Sequence, residues 1–304
     1  MDIGFIGLGR MGLNMSIRLR RAQHRVAGFN QDAEKLVEAR THGIETATSV
    51  ADLVKLLPAP RAVWMMIPAG KPVDDTLDLL VPLLASGDVV VDGGNSNYKD
   101  SRRRHERLAQ QGLEFVDCGT SGGIWGLELG YCMMLGGSDA AIARLAPVLT
   151  SLAPKDGWLH VGGPGAGHYS KMIHNGIEYG MMQAYAEGFE ILKASDYPYD
   201  LSKLAHLWNQ GSVVRSWLLE LAERAFAKDP QLSQIRGWVE DSGEGRWTVQ
   251  AALEEAVPAE VLTAALYARF RSRQEHTFAD KLLSALRREF GGHGEALPAE
   301  RERS

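Results

Sequence analysis

A glycine-rich turn, Gly7-Leu8-Gly9-Arg10-Met11-Gly12, stands directly behind the apolar run at residues 3–6 and ahead of a stretch with helical periodicity. Strand, then GxGxxG, then helix is the order that a dinucleotide-binding βαβ unit requires. Glycine serves the tight turn, lets backbone approach a pyrophosphate, and allows the helix to pack on the strand. The helix start then offers unpaired N–H groups and a partial positive charge to the phosphates. A glycine turn without a ligand is the bland alternative. The second apolar run, at 26–29, supplies the next strand of the unit and weighs against it.

That second run ends in Phe29-Asn30-Gln31-Asp32. An acidic group here meets a ribose 2′-hydroxyl, whereas a basic one meets a 2′-phosphate. No Arg or Lys is present at this strand end, and Asp32 either takes the acidic role or caps the next helix.

Further apolar runs at 62–67, 89–92, 114–117, 131–135 and 158–161 alternate with amphipathic stretches, the pattern of a parallel sheet in βαβ units. Helices are predicted to start after Gly9 and at Ser138-Asp139. Beyond the hinge-like Val161-Gly162-Gly163-Pro164-Gly165-Ala166-Gly167 the strand patterns stop. Helical patterns follow at 168–193, 201–209, 213–227, 249–256, 259–274 and 277–290, with a charged tail at 295–304 that is expected to fray. The expected fold is an α/β Rossmann domain over 1–162 followed by an all-α domain over 163–304.

The formal net charge is -5, from 33 Lys+Arg against 38 Asp+Glu, which gives no general attraction to nucleic acid or to an anionic membrane. An anionic ligand must therefore be held by a local cluster of cations. Cys118 and Cys132 lie outside any CxxC pattern, so neither a disulfide framework nor a structural metal site is expected. A reducing cytoplasm fits that usage. The first residues read as a strand rather than a signal segment, and no apolar run is long enough to span a bilayer.

The stretch Lys171-Met172-Ile173-His174-Asn175-Gly176-Ile177-Glu178-Tyr179-Gly180 carries the most chemistry. At about 100° per residue, Asn175 and Glu178 fall within roughly 40° of Lys171 around the helix axis, and His174 about 60° to one side. The bland alternative is a solvated face with an i,i+7 charge pair. Against it, Ile173, Ile177, Gly176 and Gly180 suggest a closely packed helix, and the cluster follows the hinge where a cleft is expected. A Lys beside a Glu there suits a general base and acid pair.

The run at 171–180 strongly resembles the signature of the decarboxylating 6-phosphogluconate dehydrogenases. Other matches come in that family's order. Gly7–Gly12 matches its dinucleotide loop, Asp92-Gly93-Gly94-Asn95-Ser96 its segment between nicotinamide and sugar acid, and Ser121-Gly122-Gly123 its substrate-carboxylate loop. Gly245-Arg246-Trp247-Thr248 resembles its Gly-Lys-Trp-Thr loop, and the length resembles the family's short form, which lacks a duplicated half of the helical domain. The resemblance implies that Lys171 takes the C3 hydroxyl proton as hydride leaves and later returns a proton to the ketone oxygen. Glu178 then protonates C1 of the enediol. It implies that Asn95, Ser121, Gly122, Gly123, His174 and Asn175 hold the sugar acid, with Tyr179 on its phosphate. Gly7, Leu8, Gly9, Arg10, Met11, Gly12, Asn30, Gln31, Asp32, Ile67, Pro68, Ala69 and Asn95 are the cofactor positions it assigns.

Three departures stand out. The loop lysine is Arg246, Ile124-Trp125-Gly126 lacks an acidic pair many members carry, and Pro68 replaces a Lys common in long forms. Members using NADP⁺ typically carry Asn-Arg-Thr where this chain has Asn30-Gln31-Asp32, so NAD⁺ is the expected preference, with NADP⁺ as the lesser substrate. Arg287-Arg288-Glu289-Phe290-Gly291-Gly292-His293 resembles the tail that completes a neighbouring subunit's site in long forms. Arg246, Arg269, Arg287 and His293 are accordingly the expected phosphate ligands, in a homodimer or homotetramer with Arg287 and His293 acting in trans. A non-decarboxylating β-hydroxyacid dehydrogenase or imine reductase is the nearest rival, and a non-catalytic nucleotide sensor a more distant one. The first shares a catalytic Lys with Asn four residues on, but His174 with Glu178 and the later basic cluster argue against it; the presence of both Lys171 and Glu178 argues against the second.

Overall fold

The structure, a computed structural model, describes residues 1–291. Along the chain run β1 (Asp2–Ile6), α1 (Arg10–Arg21), β2 (Arg25–Phe29), α2 (Ala33–Thr41), β3 (Glu45–Thr46), α3 (Val50–Lys55), β4 (Ala62–Met65) and α4 (Lys71–Leu80). There follow β5 (Val89–Asp92), α5 (Tyr98–Ala109), β6 (Glu114–Ser121), α6 (Gly126–Leu129), β7 (Cys132–Gly136), α7 (Asp139–Leu152) and β8 (Trp158–Gly162). The strands form an eight-stranded sheet in the order β3-β2-β1-β4-β5-β6-β7-β8. Helices cover both faces, which is why β4 and β5 read as unbroken apolar runs. On one face Ile3, Phe5, Trp64, Val91 and Val116 pack with Leu13 and Leu19 of α1 and Leu145 and Leu149 of α7. On the other, Ile6, Val63, Met65, Val90 and Phe115 meet Leu53, Leu77 and Leu108 of α3, α4 and α5.

Two strands depart from the parallel sheet expected from the sequence: β7 and β8 run parallel to each other and against the other six. β6 and β7 pair antiparallel, Asp117 opposite Gly136 and Ser121 opposite Cys132. The connection between them is too short for the crossover that parallel neighbours need. It reverses through Gly122, Gly123 and Gly130, with φ of 132°, 52° and 86°. The antiparallel pairing also draws 118–121 into β6, which extends past the predicted end at 117. β4 stops at Met65, leaving Ile67 in the following loop.

The remaining helices are α8 (Ala166–Ala194), α9 (Leu201–Asn209), α10 (Trp217–Lys228), α11 (Glu244–Glu254), α12 (Glu260–Arg271) and α13 (Phe278–Gly291). Packing divides the chain at Ile177, later than the end of the sheet at Gly162. The first unit comprises Met1–Ile177 with Glu244–Glu255; the second comprises Glu178–Gly243 and the residues from Ala256. Hydrogen bonds hold the start of α8 and α11 to the first unit. The Asp117 carboxylate accepts from the backbone N–H of His168, and the Thr248 hydroxyl donates to the carbonyl of Met172. The second unit has its own core of Phe189, Leu201, Ala205, Leu219 and Phe226.

Helix starts in this half differ from the predicted ones where a cap decides. α10 begins after Ser216, whose hydroxyl accepts from Leu219 N–H, rather than at 213. α11 begins at Glu244 rather than 249, so Arg246 and Thr248 stand in a helical turn and not in a loop.

Candidate active site

In the first unit the direction of chain travel reverses between β1 and β4, and there the loops at the strand ends part. That switch point is where an open α/β sheet binds its ligand. A cleft of about 1040 Å³ opens at this place, lined by Gly7, Gly9, Asn30, Gln31, Asp32, Ile67 and Pro68 among others. Gly7 has φ 94°, and a Cβ on it would overlap the Met66 carbonyl oxygen. A Cβ on Gly12 would overlap the carbonyl oxygen of Gly7, so the loop and α1 touch backbone to backbone. Gly9 differs: its φ is -64°, and nothing lies within 4 Å of where its Cβ would stand. That open side, at a helix N-terminus, fits a dinucleotide pyrophosphate.

The Leu8 N–H donates to Asn30 Oδ1 at 2.9 Å and ties the loop to the end of β2, while the Leu8 side chain sits in the core. Arg10 is exposed at the start of α1, and Met11 packs against the core. Asp32 Oδ1 accepts from Glu34 N–H at 2.9 Å, so this carboxylate caps α2 and also lines the cleft. Both sequence-level alternatives for Asp32 are therefore geometrically compatible. Neither Lys nor Arg occurs among the described residues lining this cleft. Ala69 lies in the loop before α4 and is not among its lining residues.

The loop carrying Asn95 is shaped by a buried charge network that sequence reasoning missed. Asp92 is fully buried at the end of β5; it accepts from Gly94 N–H at 3.1 Å and from the Ser96 hydroxyl at 2.8 Å. The buried Arg104 donates to Asp92 at 3.3 Å, to Asp74 at 2.9 Å and to the Gly70 carbonyl at 3.0 Å. Arg104 beside Asp74 holds that carboxyl below the ordinary carboxylate range. Breaking one partner of such a buried pair costs about 3–5 kcal/mol, because the other charge is left uncompensated. Asn95 itself is exposed above this platform. The available signal was an acid closing the apolar run Val89-Val90-Val91-Asp92, a residue type seldom buried unless paired.

At the end of β6, Ser121 is followed by Gly122 and Gly123, both in the left-handed region reserved in practice for glycine. The chain turns there, and Ile124 and Trp125 stand exposed beyond. Cys118, on the other face of β6, is no nucleophile: burial pushes its thiol up to about 12.

Helix α8 is anchored at its start by Asp117, which accepts from Gly165 N–H at 2.7 Å and from His168 N–H at 2.8 Å. One turn on, Lys171 is buried and its Nζ donates to Asn175 Oδ1 at 2.5 Å. His174 Nδ1 lies 3.4 Å from the same Nζ and 3.1 Å from Asn175 Oδ1. Three of the side chains singled out in the sequence thus form one hydrogen-bonded group, and its members are buried or half-buried rather than strung along a solvated face. From the opposite side, Thr248 of α11 packs where a Cβ on Gly176 would stand, 2.6 Å from its Cγ2. Arg246, in the first turn of α11, is exposed.

The second unit holds the rest of the candidate set. Glu178 is half-buried on α8, and the buried Tyr179 accepts from Ser242 N–H at 3.4 Å through its hydroxyl. The guanidinium of Arg269 lies 3.5 Å from the Tyr179 ring centroid, and its Nη1 donates to the Glu240 carbonyl at 2.7 Å. A cation over a tyrosine face is worth about 0.5–2 kcal/mol according to exposure, enough to fix both groups. Arg287 is exposed on α13, and His293 lies outside the described residues.

Two family descriptions cover the chain. "NAD binding domain of 6-phosphogluconate dehydrogenase" matches residues 2–162, and "6-phosphogluconate dehydrogenase, C-terminal domain" matches residues 167–296. A Haloferax volcanii protein named "6-phosphogluconate dehydrogenase, NAD(+)-dependent, decarboxylating" is 47% identical over 295 residues, covering 96% of this chain and 98% of that protein. The "6-phosphogluconate dehydrogenase, decarboxylating" of Treponema pallidum is 41% identical over 293 residues, covering 90% of this chain but 59% of its own length. Among solved structures, the Plasmodium falciparum 6-phosphogluconate dehydrogenase superposes with a TM-score of 0.84 at 29% identity, over 99% of this chain and 67% of that one. It is described in its apo form, with NADP⁺, and with 6-phosphogluconate. This chain belongs to the 6-phosphogluconate dehydrogenase family.

Proposed function

We propose that the protein oxidises 6-phospho-D-gluconate at C3 and decarboxylates the resulting β-keto acid to D-ribulose 5-phosphate and carbon dioxide. The observation that carries this reading is the buried Lys171, held by Asn175 and His174 on the helix that also bears Glu178. NAD⁺, when bound in the β1–β4 cleft, supplies the hydride acceptor. Lys171 removes the proton of the C3 hydroxyl as that carbon is oxidised. The C1–C2 bond then breaks, its electron pair moves toward the C3 oxygen, and Lys171 returns its proton there. A cationic amine beside the forming oxyanion stabilises charge where it develops. Glu178, as the acid, protonates the carbon left by the carboxylate, while the now neutral Lys171 takes back the proton on the C3 oxygen, so that the product ketone forms there.

Asn95, Ser121, Gly122, Gly123, His174 and Asn175 are assigned to the sugar acid. Tyr179 and Arg269, stacked on one another, are assigned to the phosphate together with Arg246, Arg287 and His293. We also assign a homo-oligomer, a dimer at least. In its support, α13 exposes Phe278, Leu282, Leu283 and Leu286 along one face. An apolar cavity of about 520 Å³ opens among α8, α9 and α10.

NAD⁺ is the preferred acceptor in this reading, since Gln31 and Asp32 border the cleft and no cation does among its described lining residues. Exchanging Gln31→Arg together with Asp32→Thr should reverse the preference. Thr can still cap α2, so the fold should survive the change. Steady-state kinetics with 6-phosphogluconate should give wild-type kcat/KM higher for NAD⁺, and the double variant should shift the ratio toward NADP⁺ by about 100-fold. A wild-type kcat/KM higher for NADP⁺ would contradict the assignment.

A further inference from the structure

Alternate residues of a strand share a face, so β6 presents Asp117, Gly119 and Ser121 on one side. Asp117 caps α8 and Ser121 opens the candidate carboxylate loop. Between them, a Cβ on Gly119 would overlap Lys171 Cβ, stand 3.0 Å from Lys171 Cγ and 2.9 Å from the Gly167 carbonyl oxygen. The neighbouring strand adds a second notch. A Cβ on Gly136 would lie 2.6 Å from Asp117 Oδ1 and 2.8 Å from the backbone nitrogen of Gly167. On the helix, a Cβ on Gly167 would overlap the Asp117 carbonyl oxygen and stand 2.5 Å from that of Met134. Helix α8 therefore crosses β6 and β7 in backbone contact, with one glycine at the crossing from each of the three elements.

We propose that this crossing is the device that positions the catalytic lysine. Gly119, Gly136 and Gly167 set the depth of α8, and the paired acceptors of Asp117 set its rotation. Lys171, one turn beyond Gly167, is thereby delivered to the strand that ends in Ser121. These four are positioning residues, and the proposal rests on the reading of Lys171 as the base. A glycine crossing that served packing alone would lower stability when filled but leave the chemistry of folded molecules unchanged.

The test compares three full-length variants with the wild type, reading kcat, KM for 6-phosphogluconate, NADH affinity, Tm and the kcat–pH profile. In Gly119→Ala the added methyl displaces Lys171, and a misplacement of about 1 Å costs on the order of 100-fold in rate. Its kcat should fall by about that factor and the acidic limb of its pH profile should move, while KM and NADH affinity stay within about 3-fold. Asp117→Asn turns one cap acceptor into a donor and should cost about 10-fold in kcat with the same split. Cys118→Ala, equally buried on the opposite face, should lower Tm with kcat within about 2-fold.

If Gly119→Ala does not fold, Asp117→Asn decides. A folded Gly119→Ala or Asp117→Asn with near-wild-type kcat and an unmoved pH profile overturns the proposal, as does an equal loss of kcat in Cys118→Ala. Absence of wild-type turnover with 6-phosphogluconate would instead strike the functional reading. The crossing is then judged by a crystal structure of Gly119→Ala, where Lys171 should move by about 1 Å or more against β6 and an unmoved lysine overturns it.

Discussion

Lys171→Ala should abolish turnover of 6-phosphogluconate, with a fall in kcat of about a thousandfold or more, while NADH still binds within about 2-fold of wild type. General base catalysis by a positioned side chain contributes roughly 10²–10⁴-fold, and here the same amine also returns the proton during decarboxylation. The dinucleotide cleft should be spared because its walls come from the loops after β1 to β4 and from α4, not from α8. Near-wild-type kcat in this variant would remove the proposed base. The same variant also tests the oligomer. Arg287→Ala should be inactive if the tail grips the phosphate. In freely exchanging dimers, half of the molecules are hybrids with one intact site of two, so a mixture of the inactive variants should recover about a quarter of wild-type activity. No recovery after demonstrated subunit exchange would mean that Arg287 serves its own subunit or none.

Gly9→Val should have the next largest effect, and for a different physical reason. Around Gly9 no atom lies within 4 Å of the missing Cβ, and its φ of -64° is open to any residue. The substitution should therefore fold with an unchanged Tm in the absence of cofactor. Its side chain would fill the space that a pyrophosphate needs at the start of α1, so NADH affinity should weaken by about 100-fold, roughly 2.7 kcal/mol. Gly12→Ala makes a useful contrast, since its methyl overlaps the Gly7 carbonyl and should cost stability as well as binding. Unchanged NADH affinity in folded Gly9→Val would place the dinucleotide elsewhere.

What could be read from residues alone follows how local the physics is. The turn at Gly7–Gly12, the strand at 89–92 and the helix around 171–180 each carry their own signal within a short window, and each is found where it was expected. Ser138 caps α7 as its position suggested. Strand direction is not local. Nothing within 131–135 says that β7 runs against β6; that follows from the short glycine-rich reversal and the pairing it permits. β3 is only Glu45–Thr46, too short to leave a pattern. In α11, an onset at 244 joins Arg246 and Thr248 to a helix that the apolar periodicity placed later.

The candidate site divides in the same way. Lys171, His174 and Asn175 share a helix face, so their proximity is legible in the spacing. The groups that hold them are remote in sequence. Asp117 is 48 residues from Gly165, which it caps, and Arg104 is 30 from Asp74. Such partners show in the sequence only as acids and a guanidinium placed where side chains are buried. The Arg269–Tyr179 stack belongs to the same class, since proximity was no part of the reason for choosing Arg269 from the sequence.

The measurement that bears most directly on the account is simultaneous detection of reduced cofactor and carbon dioxide from enzyme, 6-phosphogluconate and NAD⁺. Oxidation at C3 makes a β-keto acid, and the lysine that returned its proton to the ketone oxygen commits that acid to lose its carboxylate. NADH and carbon dioxide should appear in equal amounts from the earliest time points. NADH formed without carbon dioxide would contradict it, leaving a plain hydroxyacid dehydrogenase; neither product would remove the substrate assignment.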